Sequence, residues 1–114
     1  MISIETIRNL AFTLPEVEEM PHFEKTSFRI KNKIFATVDR ENHIATFKFS
    51  KDDQEFFSSA SNGSVYAIDN RWGQKGWTHV ELKSIDKSIF KDMMQIAYCE
   101  IAPKKLRDQV KHSK

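Results

Sequence analysis

The spacing of hydrophobic positions changes several times along the chain, and each change marks an element boundary. Ile4, Ile7, Leu10, Ala11 and Leu14 recur every three or four residues, which sets them on one helical face with Ser3 as cap and Pro15 as stop. Glu16 to Met20 is acidic and aperiodic, and reads as a connector into Pro21-His22-Phe23. From Lys25 the period falls to two. Thr26, Phe28 and Ile30 point one way, and Ser27, Arg29 and Lys31 the other, as in a strand with one wet face. Asn32-Lys33 turns the chain into Ile34 to Asp39, and Arg40 to His43 separates that run from Ile44 to Phe49. Three strands in a meander are predicted.

The second half repeats both periods. Ser50 caps a second helix, with acids in its first turn and Phe56 and Phe57 as anchors. Ser58 to Ser64 is too small and polar to pack, so a loop precedes a fourth strand over Val65 to Ile68. Thr78, Val80 and Leu82 alternate with His79, Glu81 and Lys83 in a fifth strand. Asp86 caps the longest helix, striped by Ile89, Met93, Ile96, Ala97 and Ile101, with Phe90, Met94 and Tyr98 on its flank. Pro103 opens a short last helix that Leu106 and Val110 would dock. The pattern predicts an α+β fold, a single domain with an antiparallel sheet of about five strands packed against helices.

Composition sets bounds on this picture. A chain of 114 residues with 39% hydrophobic and 30% charged residues can bury one core without disulfides or a structural metal. The lone Cys99 lies in an apolar helical pattern and reads as a small core hydrophobe. No apolar run reaches a membrane-spanning length, and Met1 to Glu5 lacks the opening of a secretory signal, so a cytoplasmic location is expected. The net charge of +2 conceals a gradient, with one Arg against five Glu in residues 1–24 and five Lys or Arg against one Asp in residues 103–114.

Candidate chemistry is sparse. His22, His43, His79 and His112 share no ligand spacing with one another or with Cys99, so neither a metal nor another cofactor is expected. Glu18-Glu19 and Asp52-Asp53 are explained by a solvated connector and a helix start. His22, at the entrance to the sheet, is the histidine best placed for a special role. Gly73-Gln74-Lys75-Gly76 matches a phosphate-clamping G-x-x-G in letters but precedes a strand rather than joining two helices. It is no P-loop, because Trp77 follows the second glycine. What remains is the segment Asp69 to Trp77, with both tryptophans and the cations Arg71 and Lys75. It reads as a glycine-eased hairpin able to offer charge to phosphates and flat rings to bases. Trp72 is expected to be exposed; the phase leaves the face of Trp77 open. Arg29, Lys31, Lys33 and Lys48 add charge around the first three strands.

The order of these signals resembles the MmcQ/YjbR family of small bacterial proteins from Ile7 to about Val110. The likeness is carried by Leu14-Pro15, Pro21-His22-Phe23, Lys33-Ile34-Phe35-Ala36, Phe47-Lys48-Phe49, Lys75-Gly76-Trp77 ahead of Val80 and Leu82, and Ala97-Tyr98 followed by Lys105-Leu106. Similar proteins commonly carry Ser where this chain has Ala97, and often His where it has Gly76. The resemblance implies a frataxin-like, CyaY-related α+β fold described as a double wing and suspected of binding DNA, with no catalytic residues. It would place DNA beside Lys33, Lys48, Arg71, Trp72 and Lys75.

The expected function is therefore a non-enzymatic nucleic-acid binder, with DNA held by Arg29, Lys31, Lys33, Lys48, Arg71, Trp72 and Lys75. The alternative is a protein-interaction or small-molecule-binding module built on the Trp72/Trp77 hairpin.

Overall fold

Antiparallel pairing between neighbouring runs organises the molecule, which we describe from a computed structural model covering residues 1–111. His112 and Lys114 lie outside the described residues. Six strands form one sheet: β1 (Glu18–His22), β2 (Lys25–Ile30), β3 (Lys33–Asp39), β4 (Ile44–Lys48), β5 (Val65–Ala67) and β6 (Trp77–Glu81), in the order β1-β2-β3-β4-β6-β5. Five helices accompany them: α1 (Ile4–Ala11), α2 (Lys51–Ala60), α3 (Arg71–Gln74), α4 (Lys87–Ile101) and α5 (Lys104–Lys111). The α+β class, the antiparallel sheet and the meander β2-β3-β4 are as the periodicity predicts.

Local chemistry accounts for the boundaries. Ser3, Ser50 and Asp86 each accept backbone N–H bonds at the start of α1, α2 and α4, satisfying donors that a helix leaves unpaired. Lys31 and Asn32 both take positive φ in the two-residue β2–β3 turn, a conformation whose twist matches the flanking strands. Between Phe28 and Arg29 the register of β2 on β3 slips, so that Phe28 faces Ala36 and Arg29 faces Ile34. This bulge lets Phe35 as well as Ala36 turn inward.

The core lies between one face of the sheet and the helices. Phe28, Ala36, Val38, Ala45, Phe47, Val65 and Val80 supply the sheet side. Phe90 stands 5.3 Å from Phe47 between ring centroids, Tyr98 5.6 Å from Phe35, and Phe57 5.3 Å from Phe49. The Tyr98 hydroxyl donates to the Pro15 carbonyl at 2.6 Å and so ties the end of the first helical segment to α4.

Several expectations need correction. The acidic connector is a strand: Glu18–His22 pairs along β2, and its hydrophobic signal is absent because it is an edge strand, where Pro21 needs no ladder partner on its nitrogen side. Arg8 clamps it to α1 through a two-oxygen bond to Glu19, with Nε and Nη2 at 2.9 to 3.0 Å. The buried side of α4 is Phe90, Met93, Met94, Ala97 and Tyr98, while Ile89, Ile96 and Ile101 are only partly covered. Phe57 is buried but Phe56 is 64% exposed, so one aromatic anchors α2. Cys99 is half-buried rather than in the core.

The Asp69 to Trp77 segment is not a hairpin. Asn70 Oδ1 accepts from the Trp72 N–H at 2.8 Å and caps one turn of helix, α3. Gly73 is required inside that turn because a Cβ there would lie 1.8 Å from the Ile68 carbonyl oxygen. Gly76, at φ +105, then turns the chain into β6.

Candidate functional site

α2 and α4 pack on one face of the sheet; the other carries polar side chains in register. Across four ladders Ser27 faces Thr37, Thr37 faces Thr46, Thr46 faces His79, and His79 faces Tyr66. One row away along the strands, Arg29 faces Ile34 and Lys48 faces Trp77. On the other side, His22 faces Lys25 and Ile44 faces Glu81.

A cleft of about 400 Å³ opens on this face. Trp77 and Ile34 form one end of its floor, Thr37, Thr46 and His79 the middle, and His22 with Lys25 the far end, while Ile68 and Trp72 form a side wall. Its volume falls within the range of small-molecule sites. No carboxylate lines it, and Lys25 is the one fixed charge in its lining.

The middle of the floor is pre-organised. Thr46 Oγ1 lies 2.9 Å from His79 Nδ1, which fixes the imidazole ring and directs Nε2 elsewhere. Tyr66 packs edge-on to His79 with centroids 5.7 Å apart, and its hydroxyl donates to Glu81. Burial, followed by the positive charge of Lys25, lowers the His79 pKa below its ordinary value; Glu81 and Asp39 oppose the shift without reversing it. The Glu81 bond and burial push Tyr66 up to about 12. Asp39, beside the cleft, is held below the usual carboxylate range chiefly by the side-chain amide of Asn42, which donates at 2.9 Å.

The wall depends on Gln54 of α2. Its buried side-chain NH2 shares its two hydrogens among three acceptors, the Gly73 carbonyl at 2.9 Å, the Trp77 carbonyl at 3.2 Å and Thr78 Oγ1 at 3.0 Å. These bonds fix α3 against the start of β6 and thereby hold both indoles in place. Trp72 is 48% exposed and Trp77 half-buried.

Of the cations named from sequence, Arg29, Lys31 and Lys48 have partners within the protein. Arg71 and Lys75 meet over Trp72, with Arg71 Cζ 5.7 Å and Lys75 Nζ 5.3 Å from the ring centroid. Arg29 donates to Ser27 Oγ at 2.9 Å and to the Pro21 carbonyl at 3.5 Å. Lys31 pairs with Glu16 at 2.9 Å. Lys33 is exposed at the start of β3. Lys48 turns over the end of the sheet, donating to the Phe49 carbonyl at 3.1 Å with Glu100 3.9 Å away.

Sequence reasoning did not single out Lys25, Thr37, Thr46, Ile68 or Gln54. Thr46 shares the phase of Lys48 and was legible as a wet-face residue; Thr37 was not, because the bulge resets the phase of β3. Gln54 carried no signal, since a glutamine three residues into a helix usually faces water. Among the described residues no group of three or more His, Cys, Asp or Glu could hold a metal ion, and no helix is long and apolar enough to cross a membrane.

Comparison with known proteins agrees with the fold. The family model described as YjbR matches residues 12–100. Among solved structures, the chain is similar to Deinococcus radiodurans protein DR2400, which carries the DUF419 domain, with a TM-score of 0.79 at 18% identity over 97% of this chain and 89% of that one. At that identity the likeness speaks for the fold alone. No curated protein matches.

Proposed function

The chain belongs to the YjbR family, and we propose that it is a cytoplasmic, non-enzymatic binding module whose ligand site is the cleft on the face of the sheet opposite the core. The observation that carries this reading is the lining itself: two indoles, a fixed histidine and a lysine converge on one concavity of about 400 Å³ without a carboxylate. Small-molecule sites are concave and largely apolar, with a few convergent polar groups. An exposed tryptophan at the wall is the residue type that most often dominates binding energy.

A thermal-shift screen of aromatic fragments against the protein and its Trp72→Ala variant tests the reading. Trp72 is half outside the core, so the substitution should change stability by no more than about 1 kcal/mol while erasing the fragment shifts. Retention of every shift in the variant would remove the cleft as the site. A collapse of the melting temperature would identify Trp72 as a core residue instead.

A second reading, binding of DNA, is favoured by one observation. Arg71 and Lys75 both stand over the Trp72 ring, an arrangement that suits stacking on a base beside its phosphates. It ranks second because Arg29, Lys31 and Lys48 have partners within the protein. Each phosphate contact contributes about 0.9 to the log-log salt slope. Anisotropy of a labelled duplex at about 50 and 200 mM salt should then fall steeply with salt; absence of binding at the lower salt would exclude it.

A further inference from the structure

The order of chemistry along the cleft is informative. Facing side chains on one side of a strand succeed each other every two residues, or roughly 6.8 Å. Trp77, His79 and Glu81 therefore mark three successive rows, and the same three rows run through Ile34, Thr37 and the Lys25 end of the floor. Within the cleft lining the first row supplies Trp77 and Ile34, the second Thr37, Thr46 and His79, and the last Lys25 with His22, roughly 14 Å from the first along the strands. Outside the lining the first row also carries Arg29 and Lys48, and the last Asp39 and Glu81.

Each row has unused capacity. At the aromatic end, Trp72 is 48% exposed and lines the cleft with Trp77, with Arg71 and Lys75 over its ring; an aromatic ligand gains from offset stacking against such indoles. In the middle, Thr37 makes no side-chain hydrogen bond within the described protein, and Thr46 occupies only one nitrogen of His79, leaving Nε2 for a ligand. At the far end Lys25 has no ion pair within the described residues, although Asp39 is near enough to feel its charge. Asp39 is itself committed to Asn42, and Glu81 to Tyr66.

We propose that the cleft binds a nucleoside monophosphate or a molecule of the same plan, with a flat ring against Trp72 and Trp77, hydroxyls over Thr37 and His79, and a terminal anion at Lys25. The inference rests on the cleft being the binding site and adds the ligand's class and direction. A purely apolar ligand would leave the Thr37 hydroxyl and the Lys25 ammonium unused. A simple anion would leave the indole wall empty. The span of three rows excludes a ligand that is only one ring long from meeting both ends.

Calorimetric titration with adenosine 5′-monophosphate, adenosine and ribose 5-phosphate tests the assignment. The monophosphate should bind about tenfold tighter than either half, since each half forfeits one end of the site. Lys25→Gln should remove the advantage of the monophosphate over adenosine. Equal affinity for adenosine and its monophosphate would overturn the anionic end, and equal affinity for ribose 5-phosphate would overturn the aromatic one. If none of the three binds while aromatic fragments still stabilise the protein through Trp72, the ligand class is wrong and the cleft remains the site. If the fragments fail as well, the binding-module reading falls with it.

Discussion

Thr46 and His79 face each other across β4 and β6, with Thr46 Oγ1 2.9 Å from His79 Nδ1, and together they form the centre of the cleft floor. The ring is half-buried, and burial is the larger reason why its proton affinity is reduced. The folded state therefore resists protonation that the unfolded chain accepts. As pH falls below the ordinary histidine value of about 6.5, the unfolded state takes up the proton first and stability declines, until pH passes below the depressed folded value. His79→Gln should flatten this acid limb, as measured by urea unfolding across about pH 5 to 7. An unchanged limb would mean that His79 is not held neutral by its site.

Gln54 connects α2, α3 and β6 through one side chain. Gln54→Leu keeps the volume but leaves the Thr78 hydroxyl without its donor and the Gly73 and Trp77 carbonyls with only their backbone donors, from Gly76 and Ile68. A loss of about 1–3 kcal/mol in unfolding free energy is expected. The indole fluorescence of the folded variant should also shift red, because α3 is no longer fixed. Retention of both stability and emission would show that the wall is held by something else.

Much of the fold was legible because the relevant chemistry is local. Helix caps at Ser3, Ser50 and Asp86 and the alternation of Thr78, Val80 and Leu82 each express themselves within a few residues. What was not legible depends on partners far along the chain. Edge strand β1 is specified by pairing with β2 and by the Arg8–Glu19 clamp rather than by its own hydrophobicity. The one-turn helix α3 depends on the Asn70 cap and on Gly73 passing close to Ile68. The aromatic segment was recognised as unusual from composition alone. Its relation to Thr37, Thr46 and Lys25 arises only when four strands come into register.

Gly76 should be the least replaceable residue near the site. Its φ of +105 is unfavourable for any side chain, and a Cβ would lie 1.9 Å from the Phe49 carbonyl oxygen. Gly76→Ala should destabilise the protein by more than about 2 kcal/mol, and Gly63→Ala, at φ +93 with nothing within 4 Å, by distinctly less. Chemical denaturation of both variants separates the steric contribution from the conformational one. Equal losses would refute the close approach at Gly76.

Tyr98 is pushed up to about 12, mainly by burial. Its raised value means that the unfolded tyrosine loses its proton first, so stability is intact below the ordinary value of 10.0 and declines as pH rises towards 12. Tyr66 shifts in the same sense through its bond to Glu81. Tyr98→Phe should be about 1 kcal/mol less stable near neutrality, having lost the bond to the Pro15 carbonyl, and should show a shallower alkaline decline. Unfolding free energies measured on both sides of pH 10.0 check both parts. A variant as stable as the parent near neutrality would mean that the hydroxyl bond contributes nothing net.

Nuclear magnetic resonance follows the two indole N–H signals and the backbone amides together, and so tests the cleft most directly. On titration with adenosine 5′-monophosphate, the indoles of Trp72 and Trp77 and the amides of Lys25, Thr37, Thr46 and His79 should shift as one saturating set. Shifts confined to α2, α4 and α5, or shifts at Trp72 that leave the three floor rows unmoved, would contradict the assignment of this face as the binding site.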